Sequence, residues 1–440
     1  MNSKIRVRWV AACAATGIAA AGLVGCSDAG ASSDTITYWA SNQGASVTHD
    51  EEILKETIDR FTEETGVEVE LEVIPWGDLY NRILTAVSSG EAPDVVNIGN
   101  TWAASLQASG AFEPFEGDAL EAIGGEDRFL ASSWKTGGAE GEAPTSVPLY
   151  GLAYSLYYNT EMFEAAGITE PPATWDKFVE AAKKLTVDTD GDGEIDQWGV
   201  ALAGQRTSNN VHQAFIRGLQ NGGSLYDDEG NPDFANDGVV EGVNQWIQLM
   251  GEDGVVSPSN AELTEGNEMV ADFIAGNSAM FFDQAPGKTL AEGDMEDYAV
   301  APVPMMSADA TGEEGTQSHV AGINVSVFAN SDNKEAAIDF VAHLTSDAEQ
   351  IYLNDRFTSL PVVTAAYDDE AFQGEETQLK QQILAEHAQP MPLYPSEGQM
   401  ETLVGEAMNG LFARIAQGDE VTEDDVRAAL EDANSQMPAS

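Results

Sequence analysis

Two α/β lobes are the fold class this chain predicts, and three observations carry the expectation. The chain has 440 residues, more than one small core accommodates. Between residues 35 and 110, strand and helix patterns follow one another as β-α-β-α-β-α, the order of a parallel sheet with helices on both faces. The run 149–158, inside Val147-Pro-Leu-Tyr-Gly-Leu-Ala-Tyr-Ser-Leu-Tyr-Tyr-Asn159, contains only apolar, aromatic or small residues. It reads as a buried strand, either an ordinary core strand or a crossover between lobes that sets Tyr150 and Tyr154 near a cleft.

The elements follow from local pattern. Thr35-Ile-Thr-Tyr-Trp39 is a strand, and a polar loop follows at 40–45. Leu54, Ile58 and Phe61 recur at helical spacing before Gly66. Val67-Glu-Val-Glu-Leu-Glu-Val73 alternates, so it is a strand with one wet face. After Pro75, Leu79, Ile83, Leu84 and Val87 predict one apolar helix face, ended by Gly90. Residues 93–99 form a third strand, and Asn100-Thr-Trp102 opens the next helix. Ligands in such sheets sit beyond the carboxyl ends of strands, so the loops after Trp39 and Gly99 are the expected functional edge. Further on, Asn159 caps a short helix ended by Gly167, and Trp175 starts a helix, as a packing residue rather than a ligand contact. A strand is expected at 198–203, another at 321–328 and a helix at 334–344. Thr422-Glu-Asp-Asp425 is a capping box for the last helix.

Charge excludes some partners. There are 19 Lys and Arg against 75 Asp and Glu, a formal net charge of −56. Nucleic acid and anionic membrane surfaces both need a basic footprint that is missing. The acidic excess is scattered, which reads as a solvated surface suited to high salt. The N-terminus reads as an export signal (1–25): Lys4, Arg6 and Arg8, then an apolar stretch too short for a membrane span, then Leu23-Val24-Gly25-Cys26. That ending resembles the bacterial lipobox, whose Cys is acylated, typically with palmitate, and becomes the mature N-terminus. The other cysteine, Cys13, lies inside the signal, so the mature chain has no disulfide. Residues 26–34 are then a lipidated tether.

Several motifs, in order, resemble the extracellular solute-binding proteins of bacterial ABC importers, in the sugar-binding group that includes maltose-binding proteins. They are Ile74-Pro-Trp76, Ser89-Gly-Glu-Ala-Pro-Asp-Val-Val96, Leu156-Tyr-Tyr-Asn159, Phe163-Glu-Ala-Ala-Gly167, Pro172-Ala-Thr-Trp175, Phe273-Ile-Ala-Gly-Asn-Ser-Ala-Met280, Ala301-Pro-Val-Pro304, Asn333-Lys-Glu-Ala-Ala337 and Ser359-Leu-Pro-Val362. The resemblance implies a two-lobed periplasmic-binding-protein (type II) fold with three crossover hinge segments, near 150–155, 298–303 and 345–349. Lobe 1 would be 35–150 plus 302–345, and lobe 2 would be 151–299 plus 349–437. It also implies a monomer that carries a neutral sugar or oligosaccharide to a membrane permease, held outside the cytoplasm by lipid alone.

A sugar site needs aromatic platforms and planar polar side chains. By resemblance, first-lobe contacts fall on Asn42, Gln43, Asn100, Thr101 and Trp102, and second-lobe and hinge contacts on Tyr150, Arg206, Asp283, Gln284, Arg356 and Tyr394. Trp102 fits either a platform or the first buried residue of its helix, and Arg356 either a contact or a surface ion pair. Many sugar binders carry a Trp shortly after the Ala-Met of the Phe273 motif; Phe281-Phe-Asp-Gln284 stands here instead. Asp188, Asp190, Asp192 and Asp196 have the spacing of a calcium loop, without its final Glu, and read equally as an acidic turn. Such an ion would be structural; no cofactor is required.

Enzyme signatures are absent. There is no Gly-x-Ser-x-Gly, Lys288-Thr289 is half a P-loop, and the five His are far apart along the chain. Two alternatives stand beside the sugar receptor: a secreted carbohydrate-active enzyme using paired carboxylates, and a same-fold receptor for a polyol or glycerol phosphate. Arg206, Lys288 and Arg356 are the only cations placed for a phosphate.

Overall fold

The computed structural model describes residues 35–44, 46–227 and 229–438. The expected signal, Cys26 and the tether lie outside the described residues. In chain order the strands are β1 (Thr35–Ser41), β2 (Glu68–Ile74), β3 (Val95–Gly99), β4 (Val147–Leu152), β5 (Ser155–Asn159), β6 (Met280–Asp283), β7 (Tyr298–Ala301), β8 (Ser318–His319), β9 (Ala321–Val327) and β10 (Ala388–Gln389). Lobe 1 holds a five-stranded sheet in the order β2-β1-β3-β9-β4, and lobe 2 a three-stranded sheet in the order β6-β5-β7.

The lobe 1 sheet departs from the all-parallel expectation. β1 runs parallel to β2 and β3, but the returning β9 enters between β3 and β4 antiparallel to both. Successive side chains go to opposite faces. Val95 therefore packs with Tyr38, Phe61 and Phe340, while Val96 and Ile98 pack with Leu79, Ile83 and Leu106. The edge strand β2 keeps Glu68, Glu70 and Glu72 in water, which deters edge-to-edge pairing.

The helices start and stop as their sequences dictate. Ser46 Oγ accepts the His49 amide to begin the helix Val47–Thr65, and Gly66 ends it at φ 80°. In the helix Trp76–Ser89, Leu79, Ile83 and Ala86 are buried. Leu84, expected on that face, is 42% exposed, because it lies a full 100° step round from Ile83.

The run 149–158 is two strands, not one. β4 belongs to the lobe 1 sheet and β5 to the lobe 2 sheet, with Ala153 and Tyr154 buried between them, so this stretch is the first crossover. The strand expected at 198–203 makes only isolated bridges, from Trp198, Val200 and Ala201. Lobe 2 is mainly helical. Its core joins the helices Thr207–Gln220, Asp237–Gln248, Glu397–Ala416 and Glu423–Ser435 through Trp246, Met400, Met408 and Phe412. Trp175 is buried there, with the Arg217 guanidinium 4.1 Å from its ring, as its packing role requires.

The last lobe boundary differs from the expectation. Helices Lys334–Leu344 and Asp347–Phe357 both pack into the lobe 1 core through Phe340, Leu344, Leu353 and Phe357, and Val362 and Val363 follow them. Arg60 forks onto the Glu349 carboxylate at 2.6 and 2.7 Å, and the Thr57 hydroxyl donates to it as well. The chain stays with lobe 1 through Val363 instead of crossing at 345–349.

Candidate functional site: the interlobe cleft

A cavity of about 370 Å³ lies between the lobes, lined from both. Its lobe 1 wall is made by the two loops that the strand order singles out. After β1, the Asp50 carboxylate organises the first loop. It accepts the backbone amides of Gln43 at 2.5 Å and Gly44 at 2.9 Å, and the Asn42 side-chain amide at 2.8 Å. Burial raises the Asp50 pKa, and these donors offset part of the rise. A Cβ on Gly44 would stand 2.4 Å from Asp50 Oδ1, so a larger residue here would push the Asp50 carboxylate away from the loop it organises.

The loop after β3 supplies Asn100, Thr101 and Trp102 in a single 3₁₀ turn. The Asn100 side chain donates to the Val320 carbonyl at 2.8 Å, tying this loop to the strand that returns from lobe 2. Trp102 is 7% exposed. Its ring meets Trp76 edge-on at 5.5 Å, lies against Tyr80 at 4.8 Å and covers Gly99. Its indole N–H donates to Glu401 Oε2 at 2.7 Å, on the lobe 2 helix Glu397–Ala416. The two readings of Trp102 are thus joined: most of the ring is core, and one edge borders the cleft.

The lobe 2 wall comes from Arg206, Ser208 and His212, from Glu265 to Asn267, and from Asp283 and Gln284 beyond β6. Arg206 Nη1 is 3.7 Å from Asp283. Burial raises the Glu265 pKa, opposed by Arg206 and by the Gly77 amide reaching across from lobe 1. Leu152, Tyr154 and His319 form the floor at the crossovers. The Tyr154 hydroxyl contacts Asn209 Oδ1 at 2.8 Å and His212 Nδ1 at 3.0 Å. The rings of His212 and His319 lie against each other, tilted by 33°, with centroids 4.0 Å apart. Burial pushes the His319 imidazole down to about 3. Burial, then His319 and Arg206, hold His212 well below its ordinary value. Both rings are therefore neutral and serve as hydrogen-bonding surface.

Eight of the expected contact residues meet here: Asn42, Gln43, Asn100, Thr101, Trp102, Arg206, Asp283 and Gln284. Three do not. Tyr150 is 1% exposed in the lobe 1 core, edge-on to Phe357 at 5.5 Å, because strand alternation turns it away from the cleft onto a helix. Arg356 sits on the outer face of the helix Asp347–Phe357, its guanidinium 5.5 Å from the Tyr352 ring. Tyr394 is 38% exposed and packs against Tyr226 at 4.8 Å. Sequence reasoning gave no role to Trp76, His212, Glu265 or His319. Trp76 carried the same signal as Trp102, an aromatic just past a strand end. His212 and His319 carried none, since only the fold brings them together.

Away from the cleft, Asp188, Asp190 and Asp196 offer carboxylate oxygens within 4.8 Å of one another, the one such group among the described residues. Asp192 is not part of it; its Oδ1 accepts the Glu194 amide at 2.9 Å. The carboxylates already accept loop donors, Asp188 from Gly191 and Gly193, and Asp196 from Thr189.

The bacterial extracellular solute-binding protein family matches residues 45–351. The chain belongs to that family. Among its relatives, the mannitol-binding protein of Pseudomonas aeruginosa is 26% identical over 370 residues, covering 81% of this chain and 77% of the relative. The crystal structure of a solute-binding protein from Thermotoga lettingae, bound with α-D-tagatose, superposes with a TM-score of 0.78 at 23% identity, covering 91% of this chain and 99% of that one. A solute-binding protein from Agrobacterium radiobacter, in complex with ribitol, gives 0.76 at 21% identity over 92% and 98%. At those identities the superpositions establish the two-lobed fold of this solute-binding protein and nothing finer.

Proposed function

We propose that this solute-binding protein captures a small neutral sugar or polyol in the interlobe cleft and delivers it to the permease of an ABC importer. One observation carries the reading: amide side chains (Asn42, Gln43, Gln284), a hydroxyl (Thr101) and indole edges (Trp76, Trp102) face one cavity from opposite lobes. Amides donate and accept together, as vicinal hydroxyls require, and indoles suit C–H faces. Closure of two lobes on a ligand is the hinge motion for which periplasmic binding proteins are a standard example. At about 370 Å³ the cavity is near the low end of small-molecule sites, roughly 300–1,000 Å³, which favours a short ligand over a long oligosaccharide. Arg206 stands beside Asp283 and Glu265, a poor setting for glycerol phosphate.

A thermal-shift panel of mannitol, ribitol, tagatose and maltotriose tests this. A ligand at 100 times its Kd adds about 2.7 kcal/mol of stability. Stabilisation by none of the four counts against the reading, and new reducing ends from maltotriose would make the protein an enzyme instead.

Export and anchoring extend the proposal. Acylated Cys26 holds a monomeric receptor at the outer face of the cell membrane. Each buried CH₂ contributes about 0.8 kcal/mol, and a body that has lost Lys4, Arg6 and Arg8 with its signal, leaving 16 basic against 75 acidic residues, has no other affinity for lipid. Cys26→Ala is expected to abolish lipidation; a lipidated Cys26→Ala species would refute the anchor. A structural calcium ion at Asp188, Asp190 and Asp196 is proposed on their proximity and loop spacing, and isothermal titration with calcium chloride checks it.

A further inference from the structure

Two carboxylates are buried where the lobes touch. Glu397 and Glu401 lie one turn apart on the helix Glu397–Ala416 and are 0% and 4% exposed. Among the described residues neither has a Lys or Arg within ion-pair distance; the base beside them is His212, whose Nε2 is 3.9 Å from Glu401. Both Glu397 oxygens and one Glu401 oxygen are buried without a hydrogen-bond partner. The remaining Glu401 oxygen accepts the Trp102 indole N–H from lobe 1, and one turn earlier the Gly398 amide donates to Ser105 Oγ of lobe 1 at 2.7 Å. The helix itself is rooted in lobe 2 through Met400, Val404, Met408 and Phe412. Trp102 borders the solute cleft, so the contact that joins the lobes also sets the cleft wall.

We propose that Glu401 is a proton-operated latch and a positioning residue: protonated, it holds the lobes together and fixes the Trp102 edge against the cleft; ionised, it releases both.

The chemistry follows from burial. A carboxylate deprived of water and of a counter-ion is driven neutral, and opening the lobes rehydrates it. Burial, partly offset by Thr101 and Trp102, takes Glu401 up to about 7, and burial with the Glu401 charge takes Glu397 well above the carboxylate range. The groups facing the pair add no compensating charge. On lobe 1 these are Tyr80 and Trp102; on lobe 2 and the crossovers they are Tyr154, Tyr226, His212 and His319, with Arg206 and Asp283 beyond Tyr154. The two imidazoles are neutral, so neither repays the cost of an ionised Glu401. Because the closed state raises the pKa, closure takes up a proton. The latch is fully set below the ordinary carboxylate value and lost as pH rises through about 7.

The test needs no solute, so failure of the proposed ligand class leaves it intact. The indole ¹⁵N–¹H resonance of Trp102, assigned by its absence in Trp102→Phe, is followed from about pH 5 to about pH 8.5 alongside the radius of gyration from solution scattering. In the native protein the resonance is expected to titrate with a midpoint near 7, and the molecule to expand over the same range. In Glu401→Gln, a neutral isostere that still accepts the indole N–H, both are expected to stay at their acid-side values throughout. A native resonance and radius that do not change with pH, or a Glu401→Gln protein that titrates like the native one, would overturn the latch.

Discussion

At the residue scale, Trp102 does two jobs with one ring. Trp76, Tyr80 and Gly99 enclose most of it, and the exposed edge borders the cleft. Trp102→Ala is therefore expected to cost about 3–5 kcal/mol of folding stability, as deletion of a buried aromatic does, which denaturant melts of the ligand-free protein would measure. Trp102→Phe keeps much of the packing and removes the N–H donated to Glu401, so its loss should be smaller. Asp50 is the other residue on which the wall depends, since three donors from Asn42, Gln43 and Gly44 converge on it. The loops after Trp39 and Gly99 were legible as the cleft edge because strand order fixes which edge of a sheet takes ligand, and the resemblance to solute-binding proteins named the residues within them. Tyr150 was misplaced because its orientation depends on a one-residue choice within a strand. A buried run that is apolar on both faces carries no alternation from which to read it.

Elements show the same limit. The helices Val47–Thr65 and Glu423–Ser435 were readable from periodicity and caps, which are local. The run 149–158 was readable as buried, but its division into β4 and β5 was not, since both halves are equally apolar and only pairing assigns them to different sheets. Close helix packing was likewise hidden. In the helix Asp237–Gln248, a Cβ on Gly242 would stand 2.6 Å from the backbone carbon of Arg217 and 2.7 Å from the backbone nitrogen of Gly218. Backbone cannot step aside as a side chain does. Gly242→Ala is thus expected to cost about 1–3 kcal/mol by forcing two helices apart, with a matching fall in melting temperature. Gly410, which meets nothing within 4 Å, is the control: Gly410→Ala should be neutral or stabilising.

For the whole molecule, charge and buried titration set the response to solvent. A net charge of −56 repels itself, and raising salt from about 0.1 M to about 1 M shortens the screening length from about 10 Å to about 3 Å. The melting temperature should rise over that interval; a fall would count against the salt-adapted surface. The pH dependence has two limbs. Glu397 and Glu401, with raised pKa values, stabilise the fold below the ordinary 4.5; the Glu401 contribution is lost as pH rises through about 7, and that of Glu397, also driven up by burial, is lost on the same alkaline side. His212 and His319, with lowered values, stabilise it above the ordinary 6.5; the His319 contribution is lost as pH falls toward about 3, and that of His212 is lost on the same acid side. Stability from these groups should peak between about 4.5 and about 6.5, and Glu401→Gln should reduce the decline on the alkaline side. Thermal melts across pH would check both limbs.

By itself the sequence determined the α/β class, the two-lobe plan and the strand-end loops that face the cleft, because periodicity, punctuation and strand order are local or nearly so. The tertiary structure decided what depends on distant partners. It alone inserted β9 between β3 and β4, kept 347–363 in lobe 1, and brought the His212 ring against His319. It alone turned two ordinary helical glutamates into a buried acid pair between the lobes. A glutamate's spacing along a helix states which face it lies on, but whether water or another lobe covers that face is a property of the assembled chain.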